Sequence, residues 1–177
     1  LIHHTKDLSS TFGKKLVNSI QKIRSNGLVK KIGISIYEIS EIETAFKIYK
    51  FDIVQAPLNI IDRRLETSGI LSKLKNLKVE VHTRSTFLQG LLLLPREKIP
   101  VKFNRWSNIW DRWSLELKEK KLNPIEACLS YPMSLSEVDH IVVGVNNLDQ
   151  LKKLIKLSKS KISTSDLSFM ISKEKKL

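Results

Sequence analysis

At 177 residues the chain is long enough for one domain with a sizeable core, and its 41% hydrophobic and 28% charged content is ordinary for a globular protein. No apolar run approaches the roughly 20 residues that cross a bilayer, and the first residues lack the charged-then-apolar layout of a signal peptide, so no membrane partner is expected. The net charge of +13 comes from 24 Lys and seven Arg against 18 acidic residues, with the lysines scattered along LKKLIKLSKSK, LELKEKK and ISKEKKL; nucleic-acid readers lean on Arg, so solvated helix faces are the preferred reading and no nucleic-acid partner is expected.

In chain order, LIHH is an apolar pair running into His3 and His4. FGKKLVNSIQKIRSNG places Leu16, Ile20 and Ile23 on one helical face and stops at Gly27. KKIGIS is a short apolar strand. Ser40 is the expected N-cap of the next helix, with Glu43 three residues on. FDIVQAP is a strand stopped by Pro57, LETSGILSKLKNL a helix, and KVEVHTRS a strand. A long segment follows in which Trp106, Ile109, Trp110 and Trp113 fall at helical spacing. NPIEACLSYPM is a helix with Pro124 in its first turn and Pro132 straining its interior. The lone Cys128 lies in that apolar run, where it serves as a small buried hydrophobe and fits a reducing, cytoplasmic compartment. DHIVVGV is a strand and LDQLKKLIKLSK a helix.

Strand then helix, repeated at least four times with buried-type strands, predicts an α/β fold of parallel strands joined by helical crossovers. No G-x-G-x-x-G follows any strand, so the dinucleotide fingerprint of an open doubly wound sheet is absent. Polar residues cluster instead just after the strands, at His3, Ser35, Gln55 and Asn59, Arg84 and Gly144. In a (β/α)₈ barrel those positions share the rim that carries active sites.

The stretches LIHH, KKIGISIYE, FDIVQAPLNIIDRR, RSTFLQGLLLL and VDHIVVGVNNLDQL resemble, in order and spacing, the second half of the aldo/keto reductase family. The resemblance covers residues 1–160. It implies a partial (β/α)₈ TIM barrel, from the end of the fourth strand through the eighth strand and its helix, over 1–160, with a basic extension over 161–177 expected to be helical. It further implies hydride transfer from NADPH, with NADH the alternative, to a small aldehyde or ketone. In the family the preceding units carry the Asp, Tyr and Lys of the catalytic tetrad, so the chain as given is expected to lack turnover and to associate through its open barrel edge.

The same resemblance assigns site residues. His3 matches the tetrad His that hydrogen-bonds and orients the substrate carbonyl. Ser35 and Gln55 match positions that hold the nicotinamide carboxamide, while Ile36 replaces the family's Asn. Arg84 stands where many members stack an aromatic; its guanidinium either stacks in its place or pairs with a phosphate. Ser85, Leu88, Gln89 and Gly90 match the loop that crosses the pyrophosphate, and Gly144, Val145, Asn147 and Gln150 match the cradle of the adenosine phosphates. Gly144 and Gln150 stand where strong bases usually grip the 2′-phosphate, with Lys152 and Lys153 near enough to compensate. Asn59, Asp62 and Arg63 read best as a structural brace. His4, His82 and His140 read as structural, and no three ligand-type residues converge at metal spacing, so no metal is expected. The competing reading is a non-catalytic interaction subunit on the same fold.

Overall fold

In a computed structural model, which describes residues 1–159, four of the apolar runs form strands: β1 (Gly33–Ser35), β2 (Ile53–Pro57), β3 (Glu80–Arg84) and β4 (His140–Ile141), in the order β1-β2-β3-β4 within one sheet. The helix expected over 161–177 lies outside the described residues. β1 runs parallel to β2, and β2 to β3. Parallel strands need a crossover, and helices supply it: α2 (Ser40–Ile48) links β1 to β2, and α3 (Arg64–Thr67) with α4 (Ile70–Asn76) links β2 to β3. This is the expected α/β class with a parallel sheet. Helix α1 (Gly13–Ser25) precedes β1, α5 (Ser107–Glu119) and α6 (Pro124–Ser134) precede β4, and α7 (Leu148–Ser158) follows it. No described helix is long and apolar enough to cross a membrane.

The chain divides into two compact units. The first comprises Leu1–Pro57, Arg64–Arg84 and Glu137–His140. Within it Ile2 bridges in parallel to Ile34, its N–H donating to the Gly33 carbonyl and its own carbonyl accepting from Ser35 N, both at 2.8 Å. The opening residues thus pair alongside β1 through a single bridge at Ile2. Strand residues alternate in direction, so Ile34, Val54 and Val81 share one face and are fully buried. Leu71 and Leu74 of α4 join that core. The other face carries Gln55, Glu80, His82 and Arg84, all half-buried.

The second unit comprises Leu58–Arg63, Ser85–Ser136 and the chain from Ile141 onward. Its core holds Trp110, Trp113, Leu92 and Cys128. The expected Trp face is met in part: Trp106 precedes α5 in a 3₁₀ segment, while Trp110 and Trp113 are buried, Trp110 Nε1 donating to the Phe103 carbonyl at 3.0 Å and Trp113 Nε1 to the Leu92 carbonyl at 3.1 Å, so each buried indole satisfies its one donor. Cys128 is free and buried, and burial pushes its thiol pKa up.

Three expectations change. The segment LETSGILSKLKNL splits into α3 and α4, because Gly69 between them sits at φ 75°, a left-handed turn that glycine adopts without Cβ strain. Ser40 makes no side-chain cap at α2, which starts from Ile39; Glu41 instead reaches back to the Tyr37 and Glu38 amides, at 2.6 and 2.8 Å. DHIVVGV forms a strand only over His140–Ile141, at one end of the strand order beside β3.

Candidate functional site

In the first unit the sheet register aligns polar residues. Ser35 lies opposite Gln55, and Gln55 opposite His82. Ile2 lies opposite Ile34, so His3 stands at the start of this same row. Ser35 is buried, Gln55 half-buried and His3 exposed. In a continuing strand alternation would turn His4 away from His3, but the chain leaves the strand after Ile2 and enters a 3₁₀ turn over Thr5–Asp7. The two imidazoles therefore meet edge-on, with centroids 4.4 Å apart and His3 Nδ1 3.1 Å from His4 Nε2.

Arg84 closes β3. Its Nη2 donates to the Ile36 carbonyl at 3.1 Å, and its guanidinium lies 4.2 Å from the centre of the Tyr37 ring. It does stack, but on an aromatic of its own chain, two residues beyond Ser35.

Glu41, which the sequence reading passed over, organises these loops. Its carboxylate accepts from the Tyr37 and Glu38 amides and from the Thr5 hydroxyl. Burial works to raise its pKa, but the backbone hydrogen bond from Glu38, with those from Thr5 and Tyr37 and the charge of Lys6, outweighs it and holds the carboxyl below its ordinary value. One carboxylate thus ties the turn after His3 to the turn after Ser35. The signal available in sequence was a Glu in the first turn of a helix, which is too common to single out.

In the second unit the loop after β3 is built from unusual backbone: Ser85, Leu88, Gln89 and Gly90 all have positive φ. Non-glycine residues hold such angles only where their surroundings impose them, and Asn59 supplies part of that constraint. Fully buried, it donates from Nδ2 to the Ser85 carbonyl at 3.1 Å, while its Oδ1 accepts from Ile61 N at 3.0 Å and Asp62 N at 2.8 Å. Arg63 Nε donates to the Tyr131 hydroxyl at 2.9 Å. Asn59 and Arg63 are thus the structural braces expected of them.

This loop and the residues before and within α7 line a cleft of about 440 Å³. Of the expected cofactor residues it brings together Ser85, Gln89, Gly90, Gly144 and Gln150, and it adds Thr86, Asn146 and Lys153. Lys153 is the only charged side chain among the described residues that line it. Thr86 is fully buried, and its hydroxyl has no hydrogen-bond partner among the described residues; no sequence signal marks it, because its burial is tertiary. The cleft omits Leu88, which lines a separate apolar hollow beside Phe103 and Trp106. It also omits Val145 and Asn147. Asn147 caps α7, its Oδ1 accepting from Gln150 N at 2.9 Å, and Gln150 Oε1 accepts from Asn146 N at 2.8 Å. These two polar side chains thus fix a helix start, whose free N–H groups suit an anion.

Over residues 4–174 the sequence matches the Aldo/keto reductase family. The chain belongs to that family. No curated protein sequence matches it. Among solved structures, the aldo-keto reductase AKR11C1 from Bacillus halodurans in its holo form aligns with TM-score 0.66 and 16% identity, over 86% of this chain and 53% of that one. The thermostable aldo-keto reductase Tm1743, in complex with the inhibitor epalrestat, aligns with TM-score 0.62 and 18% identity, over 86% and 52%. At such identities the likeness concerns the fold alone. The chain spans about half the length of these aldo-keto reductases.

Proposed function

We propose that this chain is the C-terminal portion of an aldo/keto reductase barrel and serves hydride transfer between NADPH and an aldehyde or ketone. The observation that carries this reading is the second-unit cleft, where Ser85, Gln89, Gly90, Gly144 and Gln150 meet around a single cation. The donor set fits a phosphate-bearing cofactor. Lys153 supplies the charge, Thr86 an unpartnered hydroxyl, and neither Gly90 nor Gly144 has any neighbour within 4 Å of where a Cβ would stand, leaving backbone open to close approach.

The bound cofactor supplies a hydride; the protein's own residues bind, orient and exclude water. Ser85, Gln89 and the glycine backbones hold the pyrophosphate side, and Lys153 grips the 2′-phosphate, which favours NADP over NAD. Taken by itself, the first unit's row of His3, Ser35 and Gln55 offers hydrogen-bonding groups of the kind that orient a carbonyl or a carboxamide. The family's Asp, Tyr and Lys come from barrel units outside this chain, so the chain alone binds NADPH weakly and gives no turnover. A cytoplasmic setting fits the single buried Cys128. The second reading, an interaction subunit without catalysis, draws on Ile36, a buried apolar side chain where the family carries Asn.

Quenching of tryptophan fluorescence tests the cofactor reading. NADPH should quench weakly, and Lys153→Ala should weaken that binding about tenfold while leaving NADH unchanged, as the loss of about 1.4 kcal/mol of charge pairing implies. Equal binding of both cofactors in wild type and variant overturns the NADP assignment. Micromolar affinity of the unaltered chain contradicts the expectation of weak binding.

A further inference from the structure

No three ligand-type residues converge at metal spacing along the sequence, yet the fold brings three together. Glu80 and His82 stand two apart on β3 and so share a face, and His140 lies on the adjacent β4. One ligand atom from each lies within 4.8 Å of the other two. Fifty-eight residues separate His82 from His140, so no local spacing could reveal the cluster.

We propose that Glu80, His82 and His140 form a binding site for a divalent transition ion of the zinc class. Tetrahedral zinc with bonds of about 2.0–2.2 Å places its ligand atoms about 3.3–3.6 Å apart. His82 Nε2 already lies 3.4 Å from Glu80 Oε2. The His82 and His140 rings meet edge-on with centroids 4.6 Å apart, so only His140, which is exposed and free to change rotamer, must adjust. His82 Nε2 is shielded from solvent and makes no hydrogen bond among the described residues. The ring nitrogen thus faces the Glu80 carboxylate at 3.4 Å without a well-formed hydrogen bond, a pair of ligand atoms that a metal would bridge.

The surroundings hold the ligands in place. Lys31 pairs with Glu80 Oε1, which leaves Oε2 for the ion. Asp139 clamps β4 to β3, its N donating to the Val81 carbonyl at 3.0 Å and its Oδ2 accepting from Val81 N at 2.8 Å. Thr83 Oγ1 donates to the His140 carbonyl at 3.5 Å. Two imidazoles and one carboxylate select zinc, cobalt or nickel over magnesium or calcium, which prefer all-oxygen sites. With three protein ligands, water completes the shell.

The test is titration of the full chain with Zn²⁺ and, for its spectrum, with Co²⁺. Wild type should bind one ion, give the visible absorption of a tetrahedral cobalt centre, and show no response to Mg²⁺. His140→Asn, an exposed change that spares the core, and Glu80→Gln should each weaken binding more than about 100-fold, beyond what the loss of a supporting contact does. Circular dichroism of both variants confirms the fold. The exposed His3–His4 pair is the rival locus, so His4→Ala is the control and should leave binding intact. Binding that survives His140→Asn and disappears with His4→Ala overturns the proposal, as does the absence of saturable Zn²⁺ binding in wild type.

Discussion

Two single residues organise the loops of the candidate site. Glu41 accepts three hydrogen bonds while charged, and hydrogen bonds to charged groups contribute about 1.5–3 kcal/mol each before the competing burial is discounted. Its carboxyl is depressed below the ordinary 4.5 in the folded state. The stabilisation is therefore complete above pH 4.5 and is lost as pH falls through the folded-state value. Glu41→Gln should cost about 1–2 kcal/mol at neutral pH, and melting curves of the two proteins should converge on acidification. A gap that stays constant to pH 3 would sink the assignment. Asn59 presents the neutral counterpart. Removing its amide strands the buried Ile61 N–H and the half-buried Asp62 N–H, so Asn59→Ala should cost about 2–4 kcal/mol in urea denaturation. Asn59 was legible as a brace through the family resemblance, and an Asn just past a strand is well suited to bind local backbone. Glu41 was not, because a Glu in a helix's first turn is too common to single out and its tie to Thr5 is long-range; Thr86 and the Glu80–His82–His140 cluster were not, because each acquires its meaning from residues distant in sequence.

At the scale of elements, strands and their helical crossovers were readable wherever period and punctuation agreed. β2 ends on Pro57 and α1 stops before Gly27, as their residues dictate. One departure came where another contact outranked local preference: α2 lacks its Ser40 cap because Glu41 takes the amides of the preceding turn. Strand β4, at one end of the strand order, spans only His140–Ile141. Strand β1 shows how tightly one element constrains another. A Cβ on Gly33 would stand 2.7 Å from Ile53 Cβ and 2.9 Å from the Ile53 carbonyl oxygen of the paired strand. Neither atom can swing aside as a side-chain tip would. Gly33→Ala should therefore push β1 from β2 and cost about 1–3 kcal/mol. Amide exchange should rise at Ile36, whose N–H donates to the Gln55 carbonyl; unchanged protection there would show that the pairing tolerates the methyl.

For the whole molecule, family membership and length set the argument. The chain spans about half the length of its solved relatives; on the proposed reading His3 takes the part of the family's His, and the proton-donating Tyr with its Lys and Asp would come from further barrel units. Hydride transfer without a proton donor leaves the developing alkoxide uncompensated, so the 177-residue chain should consume no NADPH with an aldehyde probe. Fused behind the family's first barrel units, it should do so. In that fusion His3→Ala removes a hydrogen bond aimed at the carbonyl oxygen, which should lower kcat about 100-fold. NADPH affinity should not change, since the proposed partner of His3 is the substrate carbonyl and not the cofactor. The split matters, because a merely structural His3 would weaken folding and cofactor binding together. A correctly folded fusion that binds NADPH and still turns over nothing would instead support the interaction-subunit reading, with Ile36 in place of the family's Asn the first residue to revert.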